Sequence, residues 1–512
     1  MIKTYTNRHE YAYFLYAIIK SFFKDAGIVP PDKASHNLEE DDEGEDEDVI
    51  SCVFNDDDSL IISVKKGKYI NGEGEYDFKV SENISDENER KYEKLGFIYD
   101  VLVKITGKTL PWGNLTGIRP TKLYLNKLSD LQIKEDGKVY PFSENVINDA
   151  KEYMKSRFRV SDKKGILASD IAVREQGIME SLHKGNGYSV YIGIPFCPST
   201  CLYCSFTSYP IVKYRDIISD YLESIRKELD ECAVLMKDYL LDTIYIGGGT
   251  PTSLSAEQLD ELLSMVTEKL PTENLKEFTV EAGRPDSITP EKLLVMKKYP
   301  VNRISVNPQT MNDETLHTIG RAHNVKQFTD AFKMAREYGF DNINTDIILG
   351  LQGESEKDAE YTIEKIRELD PDSLTVHSLA VKRASRLKSE MIEKKINNSQ
   401  TDFDFEKAMD KASEAAALMG MNPYYLYRQK DMGGNLENTG FAREGKYGLY
   451  NILMMEEVQS IYAIGAGTVS KRVYDDGSGL IERCDTSKDV KQYISRIDEM
   501  IDRKRKLFDN IK

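Results

Sequence analysis

Apolar segments of strand length alternate with helical segments between residues 185 and 385, and this regularity constrains the fold more than any other feature. Six β-then-α units predict a parallel sheet with helices outside it. Right-handed crossovers would curl the sheet, so we expect an α/β fold with a partial (β/α)6 barrel. The predicted strands are 189–196, 243–249, 277–283, 303–308, 343–349 and 373–379, and the predicted helices are 215–237, 256–269, 290–298, 325–338 and 356–369.

The segments on either side lack this alternation and predict two further domains of α+β type. We therefore expect an N-terminal accessory domain over 1–165, the barrel over 185–385 and a C-terminal cap domain over 386–512. The accessory domain contains predicted strands at 2–6, 50–54 and 59–65 and predicted helices at 10–26 and 87–106. The cap contains a predicted helix at 402–420, a strand at 424–428, a Gly-rich loop at 435–446 and a terminal helix at 490–507.

Composition narrows the class of protein. The formal net charge of −17 argues against non-specific binding to nucleic acid or to an anionic membrane. Only six cysteines argue against a disulfide framework and suit a reducing compartment. The N-terminal residues lack a signal-peptide pattern, and no apolar run reaches the length of a membrane-spanning helix. We therefore expect a cytoplasmic monomer with neither a nucleic-acid partner nor a membrane span.

Three cysteines directly follow the first predicted barrel strand, as Cys197-x3-Cys201-x2-Cys204. Three thiolates at a strand end can hold an iron–sulfur cluster. A cube of four irons would keep one iron without a protein ligand, and that iron can bind a small molecule. Structural zinc is the alternative, but it requires four closed ligands, and no fourth Cys or His lies nearby in the sequence. Three unrelated core cysteines are the other alternative.

Small and polar residues follow the next predicted strands. Gly248, Gly249 and Thr250 come after the second, and glycines there would let the backbone approach a ligand closely, although a tight turn would look the same. A carboxylate in a buried strand is costly unless it is paired, so a shared ligand and a structural ion pair are both open. Three polar residues end or occupy the third, fourth and fifth strands, namely Glu281, Gln309 and Asp346. Arg321 could pair with a carboxylate through two hydrogen bonds. All lie at the sheet end where barrels bind ligands.

The cysteine motif resembles the signature of the radical S-adenosylmethionine (SAM) enzymes. In that family the open iron of a 4Fe–4S cluster binds SAM, and electron transfer yields a 5′-deoxyadenosyl radical. The glycine segment about fifty residues later resembles the part that holds the SAM amino group. The resemblance therefore implies cluster ligands at Cys197, Cys201 and Cys204.

The order of segments over 185–475 resembles the oxygen-independent coproporphyrinogen III oxidases, and PWGNLTGIRPTK, CLYCSFTSYP, VEAGRPD and YNILMMEE resemble the HemZ-type subgroup. This resemblance implies SAM contacts at Tyr191, Tyr203, Gly248, Gly249, Thr250, Glu281, Gln309, Arg321 and Asp346. It implies contacts to a second SAM at Ala380 and Val469. The activity it implies is oxidative decarboxylation of coproporphyrinogen III to protoporphyrinogen IX in haem biosynthesis, with a low-potential electron donor such as flavodoxin or ferredoxin.

Two departures from the oxidase pattern keep other functions open. Phe206 stands where the best-studied oxidases have a further cysteine, a change also found in related haem chaperones. Those chaperones carry a histidine motif in the C-terminal part, whereas the corresponding stretch here begins at Glu437 and contains Phe441. A haem chaperone, or another radical reaction on a tetrapyrrole such as anaerobic haem degradation, therefore remains an alternative.

Basic residues are candidates for contacts with an anionic substrate. A substrate with four carboxylates needs cations, and a basic turn follows the sixth predicted strand at Lys382, Arg383 and Arg386, although a solvated turn would look the same. Arg119 and Lys122 are a second candidate pair within a Gly/Pro-rich segment that we interpret as a packed loop. His377 ends the sixth strand, where it could point into the site, although we favour the interpretation as a satisfied core histidine.

Overall fold

The computed structural model describes residues 1–23, 26–30, 48–117, 119–204, 208–379, 403–428 and 436–508. The chain divides into two compact units, Met1–Asp170 and Ile171–Lys512. The division into three domains stays a prediction. In the part of the chain that the structure describes, no helix combines the length and apolar character needed to cross a bilayer.

The first unit contains a five-stranded sheet of order β2-β1-β3-β4-β5. Its strands are β1 (Ile2–Thr6), β2 (Ile28–Val29), β3 (Asp48–Phe54), β4 (Ser59–Lys65) and β5 (Gly74–Lys79). β1 is parallel to both its neighbours, and β3, β4 and β5 are antiparallel, which confirms the strands predicted at 2–6, 50–54 and 59–65. The helices of this unit are His9–Phe22, Glu87–Thr106, Pro120–Asp136 and Glu144–Phe158, and a further helix, Asp162–Met179, spans the boundary between the two units in the sequence.

The elements of this unit that the sequence predicted are those that contribute side chains to its core. Leu15, Ile19 and Leu102 pack with Ile50 and Ile62 in one core, so the strands and helices that supply them show clear apolar periodicity. Trp112 is completely buried, as expected for a packed loop. The sequence did not indicate the helices between residues 120 and 179, and two of them, Pro120–Asp136 and Asp162–Met179, have weak apolar stripes.

The second unit contains the six predicted parallel strands in the order β13-β12-β11-β10-β9-β6. They are β6 (Gly187–Ile194), β9 (Leu240–Gly248), β10 (Glu277–Glu281), β11 (Arg303–Ser305), β12 (Ile343–Leu349) and β13 (Ser373–Ser378). The short strands β7 (Phe196–Cys197) and β8 (Tyr209–Pro210) pair beside them. The crossover helices are Ile218–Leu235, Ala256–Lys269, Pro290–Lys297, Asp313–Thr318, Val325–Glu337 and Glu356–Leu369.

Local sequence fixes where the crossovers begin. Capping boxes at Ser255, Asn324 and Ser355 satisfy the first free amides of three helices. Each of these helices therefore begins at a defined residue. β6 and β9 are buried along most of their length because helices cover the sheet, which is why they read as continuous apolar runs. The confirmed alternation places the strand carboxyl ends at one edge of the sheet.

The residues after 402 extend this sheet at both edges. β14 (Asn422–Tyr427) and β15 (Asn438–Ala442) join antiparallel beside β13. β16 (Ser460–Ile464) is parallel to β6, and β17 (Val469–Val473) and β18 (Ile481–Asp485) continue outward. The helices here are Phe405–Leu418, Leu449–Glu456, Val490–Ser495 and Ile497–Phe508. The predicted terminal helix is thus two helices.

The predicted Gly-rich loop at 435–446 is wrong at its centre, where β15 occupies residues 438–442. Gly440 gives this strand a composition typical of a loop, but the glycine is required by the packing of the strand. A Cβ there would lie 1.9 Å from a ring carbon of Tyr425 on the paired strand β14, so only glycine admits that ring.

Candidate functional site

The three motif cysteines lie on a loop that leaves the carboxyl end of β6. Cys197 is buried at the end of β7, and Cys201 and Cys204 are partly buried. The Cys204 amide donates to the Cys201 carbonyl at 3.3 Å, and the Leu202 amide donates to the Ile319 carbonyl at 3.0 Å. These bonds fix the loop between the ligands. None of these three cysteines forms a disulfide.

The surroundings of Cys197 show that the three thiols are neighbours. Burial is the main reason that its pKa is raised to about 11, a hydrogen bond with Thr250 opposes the rise, and the nearby Cys204 and Cys201 add to it. Within the described ranges, no three His, Cys, Asp or Glu side chains are grouped to hold a single metal ion. In an iron–sulfur cube each cysteine binds a different iron, so the thiols need not converge on one point. The donor set therefore fits a cluster.

The glycine motif after β9 packs directly against the cysteine strand. The Gly249 amide donates to the Ile194 carbonyl at 2.8 Å, and the Thr250 amide donates to the Phe196 carbonyl at 2.8 Å. A Cβ on Gly249 would lie 2.7 Å from the Phe196 oxygen and 3.0 Å from the Cys197 sulfur. Gly248 has a φ of +105°. This close approach of backbone to ligand loop requires glycine.

Glu281, the last residue of β10, lies beside this glycine loop. The Tyr245 hydroxyl donates to its carboxylate at 2.5 Å. Burial raises the pKa of Glu281 to about 7; the Tyr245 hydrogen bond opposes the rise, and the charge of Asp346 adds to it. A carboxyl group perturbed by burial and by a specific charged neighbour is a candidate for binding a ligand.

Asp346 lies in β12 and has strong hydrogen-bond support. Asn307 Nδ2 donates to Oδ2 at 2.8 Å, and Asn344 Nδ2 donates to Oδ1 at 2.7 Å. His377 Nε2 lies 3.9 Å from Oδ2. Burial alone would raise the pKa of Asp346, but His377 and the hydrogen-bond donors bring it below its ordinary value. The His377 side chain is 26% exposed and lies beside this carboxylate, so it borders the candidate site.

Gln309 is held in an unusual backbone conformation next to Asp346. Its φ is +69°, a region that non-glycine residues rarely adopt. Its amide donates to the Asp346 carbonyl at 3.1 Å, and its own carbonyl accepts from the Ile348 amide at 2.9 Å. Strain that is maintained by such bonds is typical of functional sites.

Tyr203 and Arg321 meet at the cysteine loop. Arg321 Nη1 donates to the Tyr203 hydroxyl at 3.3 Å, and Nη2 donates to the Gly283 carbonyl at 2.8 Å. Arg321 Nε has no hydrogen-bond partner among the residues that the structure describes. The guanidinium is buried and keeps a donor for a ligand.

Tyr191 belongs to a stack of three tyrosines at the same sheet end. Its ring centroid is 6.1 Å from that of Tyr245 and 5.9 Å from that of Tyr450, and Tyr245 and Tyr450 are 4.7 Å apart. Tyr191 and Tyr245 are paired directly across β6 and β9. The stack connects the first barrel strand with Glu281.

One expected SAM position stands apart from this group, and another lies outside the residues that the structure describes. Val469 lies in β17, two strands from β6, and its side chain is 39% exposed. Ala380 lies outside the described residues. Phe206 and the basic residues Lys382, Arg383 and Arg386 also lie outside them.

Sequence reasoning missed several residues of the site. Asn307 and Asn344 bind the Asp346 carboxylate, Tyr245 binds Glu281, and Arg284 contacts Cys201. Position alone offered a signal for most of them, since each lies in or just after a barrel strand.

Comparisons with known proteins agree with this geometry. A family model of the radical SAM superfamily matches residues 191–366. The oxygen-independent coproporphyrinogen-III oxidase-like protein HemZ of Bacillus subtilis is 39% identical over 422 residues, which are 81% of this chain and 81% of that protein.

Haem chaperones are also among the relatives. HemW of Lactococcus lactis is 32% identical over 283 residues, or 54% of this chain and 68% of the chaperone. HemW of Bacillus subtilis is 42% identical over 194 residues, but the match covers only 50% of that protein. Coproporphyrinogen III oxidase (HemN) from Escherichia coli superposes with a TM-score of 0.48 at 21% identity, covering 64% of this chain and 73% of that structure. On the extent of the HemZ match, the chain belongs to the radical SAM superfamily and, within it, to the HemZ-like relatives of the oxygen-independent coproporphyrinogen-III oxidases.

Proposed function

We propose that this protein oxidatively decarboxylates two propionates of coproporphyrinogen III, giving protoporphyrinogen IX. The observation that carries the proposal is the grouping of a three-cysteine loop, a glycine loop and two carboxylates at one end of the parallel sheet. Membership of the superfamily implies a 4Fe–4S cluster and SAM. When bound, they supply a 5′-deoxyadenosyl radical that can abstract hydrogen from an unactivated carbon.

The residues of the site have distinct tasks in this proposal. Cys197, Cys201 and Cys204 hold the cluster. The backbone of Gly248 and Gly249 and the Glu281 carboxylate bind polar groups of SAM, because glycine exposes its amides and carbonyls and a carboxylate accepts from ammonium or hydroxyl donors.

The remaining contacts orient SAM. Asp346 is fixed by two amide donors, so it can accept hydrogen bonds without moving. Gln309, Arg321, Tyr191, Tyr203 and Thr250 complete the proposed contacts, and Ala380 and Val469 belong to a proposed second SAM.

The substrate and the electron donor are proposed from the chemistry of the reaction. A flexible tetrapyrrole with four carboxylates needs cations, for which Lys382, Arg383 and Arg386 are the candidates nearest in sequence to the sixth strand. Arg119 and Lys122 stay a second candidate pair. Reduction of the cluster needs a low-potential donor such as flavodoxin or ferredoxin.

The test is anaerobic turnover. Protein with a reconstituted cluster is incubated with SAM, dithionite and coproporphyrinogen III, and products are identified by mass spectrometry. We expect loss of two carboxyl groups as carbon dioxide, with 5′-deoxyadenosine formed only when coproporphyrinogen III is present. Absence of decarboxylated product, with a full cluster and bound SAM, would exclude this reaction.

The alternative is a haem chaperone, favoured by the matches to HemW. Where such a protein would bind haem, this chain has Glu437 and Phe441. Phe441 is buried in β15, and Glu437 is buried beside Arg428. Burial lowers the pKa of Arg428 to about 10 and the Glu437 charge opposes that shift, so the carboxylate faces a guanidinium. A carboxylate that is paired with a guanidinium is a poor ligand for haem iron, so this arrangement supports an enzymatic function rather than haem transfer.

Haem binding separates the remaining possibilities. We expect weak binding without fixed stoichiometry when haem is titrated into the protein. Tight binding at one haem per chain, together with no substrate-dependent cleavage of SAM, would favour the chaperone. Cleavage of SAM with haem, and not with coproporphyrinogen III, would favour another radical reaction on a tetrapyrrole.

A further inference from the structure

Arg284 places a buried positive charge against the cysteine loop. This residue follows β10 in the sequence and is only 3% exposed. Nη1 lies 3.8 Å from the Cys201 sulfur and donates to the Ser199 carbonyl at 3.0 Å. Nη2 donates to the Ser199 hydroxyl at 3.1 Å. The guanidinium thus contacts both the second cysteine and the loop that leads to it.

A carboxylate fixes this guanidinium from the other side. Asp286 accepts from Nε and from Nη2 of Arg284, both at 2.9 Å, in the two-pronged geometry that suits arginine. The Arg284 carbonyl accepts from the Ser287 amide at 2.9 Å and from its hydroxyl at 2.7 Å, which closes the turn. The charge therefore cannot swing away from the sulfur.

The histidine next to this pair adds no second positive charge. His323 Nδ1 lies 3.9 Å from Asp286, but burial, together with the Arg321 charge, lowers the pKa of His323 to about 3. The imidazole is neutral at physiological pH. Arg284 is consequently the cation of this network that faces Cys201.

We propose that Arg284 is a positioning residue that raises the reduction potential of the cluster by holding a fixed positive charge beside the Cys201 ligand. Reduction adds one electron to the cluster, and a nearby cation stabilises the added negative charge more than the oxidised state. The inference rests on the cluster assignment within the proposed function. Hydrogen bonds and charges around cluster sulfurs are among the means by which proteins tune such potentials.

A purely structural ion pair would give a different result, and two substitutions of opposite sign separate the cases. Arg284→Gln removes the cation and keeps a hydrogen-bonding side chain. Asp286→Asn keeps the cation but removes the anion that partly offsets it. If Arg284 only anchors the loop, both substitutions disturb the same anchor and should not move the potential in opposite directions.

The experiment is a potentiometric titration of the reconstituted, full-length protein with dithionite, followed by electron paramagnetic resonance. At the midpoint potential of the parent, we expect Arg284→Gln to lower the ratio of reduced to oxidised cluster about tenfold, which is about 59 mV for a one-electron couple. Asp286→Asn should raise that ratio, and Arg284→Lys should lie between Arg284→Gln and the parent. The matched control is Arg336→Gln, which removes an arginine from an ion pair with Asp372; it should leave the potential unchanged.

Iron content is measured in every sample. An unchanged potential in Arg284→Gln with full iron content overturns the inference, as does an unchanged or lowered potential in Asp286→Asn. If Arg284→Gln does not retain its cluster, Asp286→Asn alone decides. Failure of the parent to bind about four irons per chain would instead contradict the cluster assignment, so the two failures are distinguishable.

Discussion

Two carboxyl groups of the site, one at the end of β10 and one within β12, have pKa values shifted in opposite directions. Glu281 is buried with one hydroxyl donor, and its pKa is raised to about 7. Asp346 is also removed from water, but His377 and amide donors stabilise its charged form, and its pKa is lowered. Near neutral pH, Asp346 is therefore ionised, whereas Glu281 is about half protonated.

SAM binding should consequently depend on pH through Glu281. A protonated Glu281 must lose its proton before it can bind a cationic group, so we expect affinity for SAM to be roughly tenfold higher at about pH 8 than at about pH 6. Calorimetric titration under anaerobic conditions measures this. Glu281→Gln should bind SAM more weakly and lose the dependence; a parent affinity that does not vary over this range would contradict the proposed role.

The same shift affects folding of the SAM-free protein. The folded pKa of Glu281 lies above the ordinary value of 4.5, so its contribution to stability is fully present below about pH 4.5 and is lost as pH rises through about 7. Urea unfolding at about pH 5 and pH 8 should show this loss in the parent and not in Glu281→Gln.

Individual site residues were predictable from sequence only where a strand end identified them. The cysteines, Glu281 and Asp346 were selected because they follow, end or occupy apolar runs that were predicted as strands. The contacts of Arg284 with Cys201 and of Tyr245 with Glu281 were not, since they depend on how loops from separate strands pack.

At the scale of elements, substitutions in the cysteine loop should test the cluster assignment most directly. Cys197, Cys201 and Cys204 changed together to Ala should abolish iron binding, which is about four irons per chain in the parent. Iron analysis and visible absorbance after anaerobic reconstitution measure this. The matched control is the triple change of the other cysteines, Cys52, Cys232 and Cys484, which are buried and free. Iron retained by the first variant would refute the assignment.

The glycine loop after β9 should be almost as sensitive, for a steric reason. Gly249→Ala would place a Cβ 2.7 Å from the Phe196 oxygen, 2.9 Å from the Ile194 oxygen and 3.0 Å from the Cys197 sulfur. These distances are too short, so β7 or the glycine loop must move. We expect lower cluster occupancy and weaker SAM binding, measured by iron analysis and equilibrium dialysis. Gly117→Ala is the control because a Cβ there has no heavy atom within 4 Å. Equal iron content in both variants would argue against close packing at Gly249.

Elements were predictable where one periodicity dominated. All six barrel strands and their long crossover helices follow from buried apolar runs and amphipathic repeats. β15 was missed because Gly440, needed to admit the Tyr425 ring, looks like loop composition. The strand is defined by its partners β13 and β14, which no local pattern reveals.

At the scale of the whole second unit, a buried ion pair ties the last helix to the first crossover helix. Lys504 and Glu228 are both completely buried and in contact. Glu228 also accepts from the Tyr493 hydroxyl at 2.5 Å and from the Gly465 amide at 2.8 Å. Lys504 donates to the Ala463 carbonyl in β16. One carboxylate therefore joins three distant parts of the chain.

Breaking this pair should destabilise the unit strongly. Lys504→Met leaves the Glu228 charge buried without its cation, which costs about 3–5 kcal/mol. Thermal and urea unfolding should show the loss. The neighbouring Arg505→Gln removes an exposed pair with Glu231 and should change stability by less than about 1 kcal/mol. Similar effects of the two substitutions would contradict the role assigned to the buried pair.

The overall architecture was only partly accessible from sequence. Local order predicted a barrel followed by a cap, because strand–helix alternation stops near residue 385. The structure instead continues the same sheet with β14 and β15 at one edge and β16 to β18 at the other. The pairing of β16 with β6 joins Ser460 to Tyr188, and no local pattern in the sequence reveals a contact between such distant segments.

The pairing of β6 with β16 has a consequence for synthesis. The strand that leads into the cysteine loop has two neighbours, β9, which is made soon after it, and β16, which begins at Ser460. A nascent chain on the ribosome exposes one edge of β6 until that residue has emerged, and an unpaired apolar edge favours aggregation. Completion of the pairing of β6 is thus a late event in translation, and premature termination anywhere before Ser460 leaves the cysteines on an unfinished sheet.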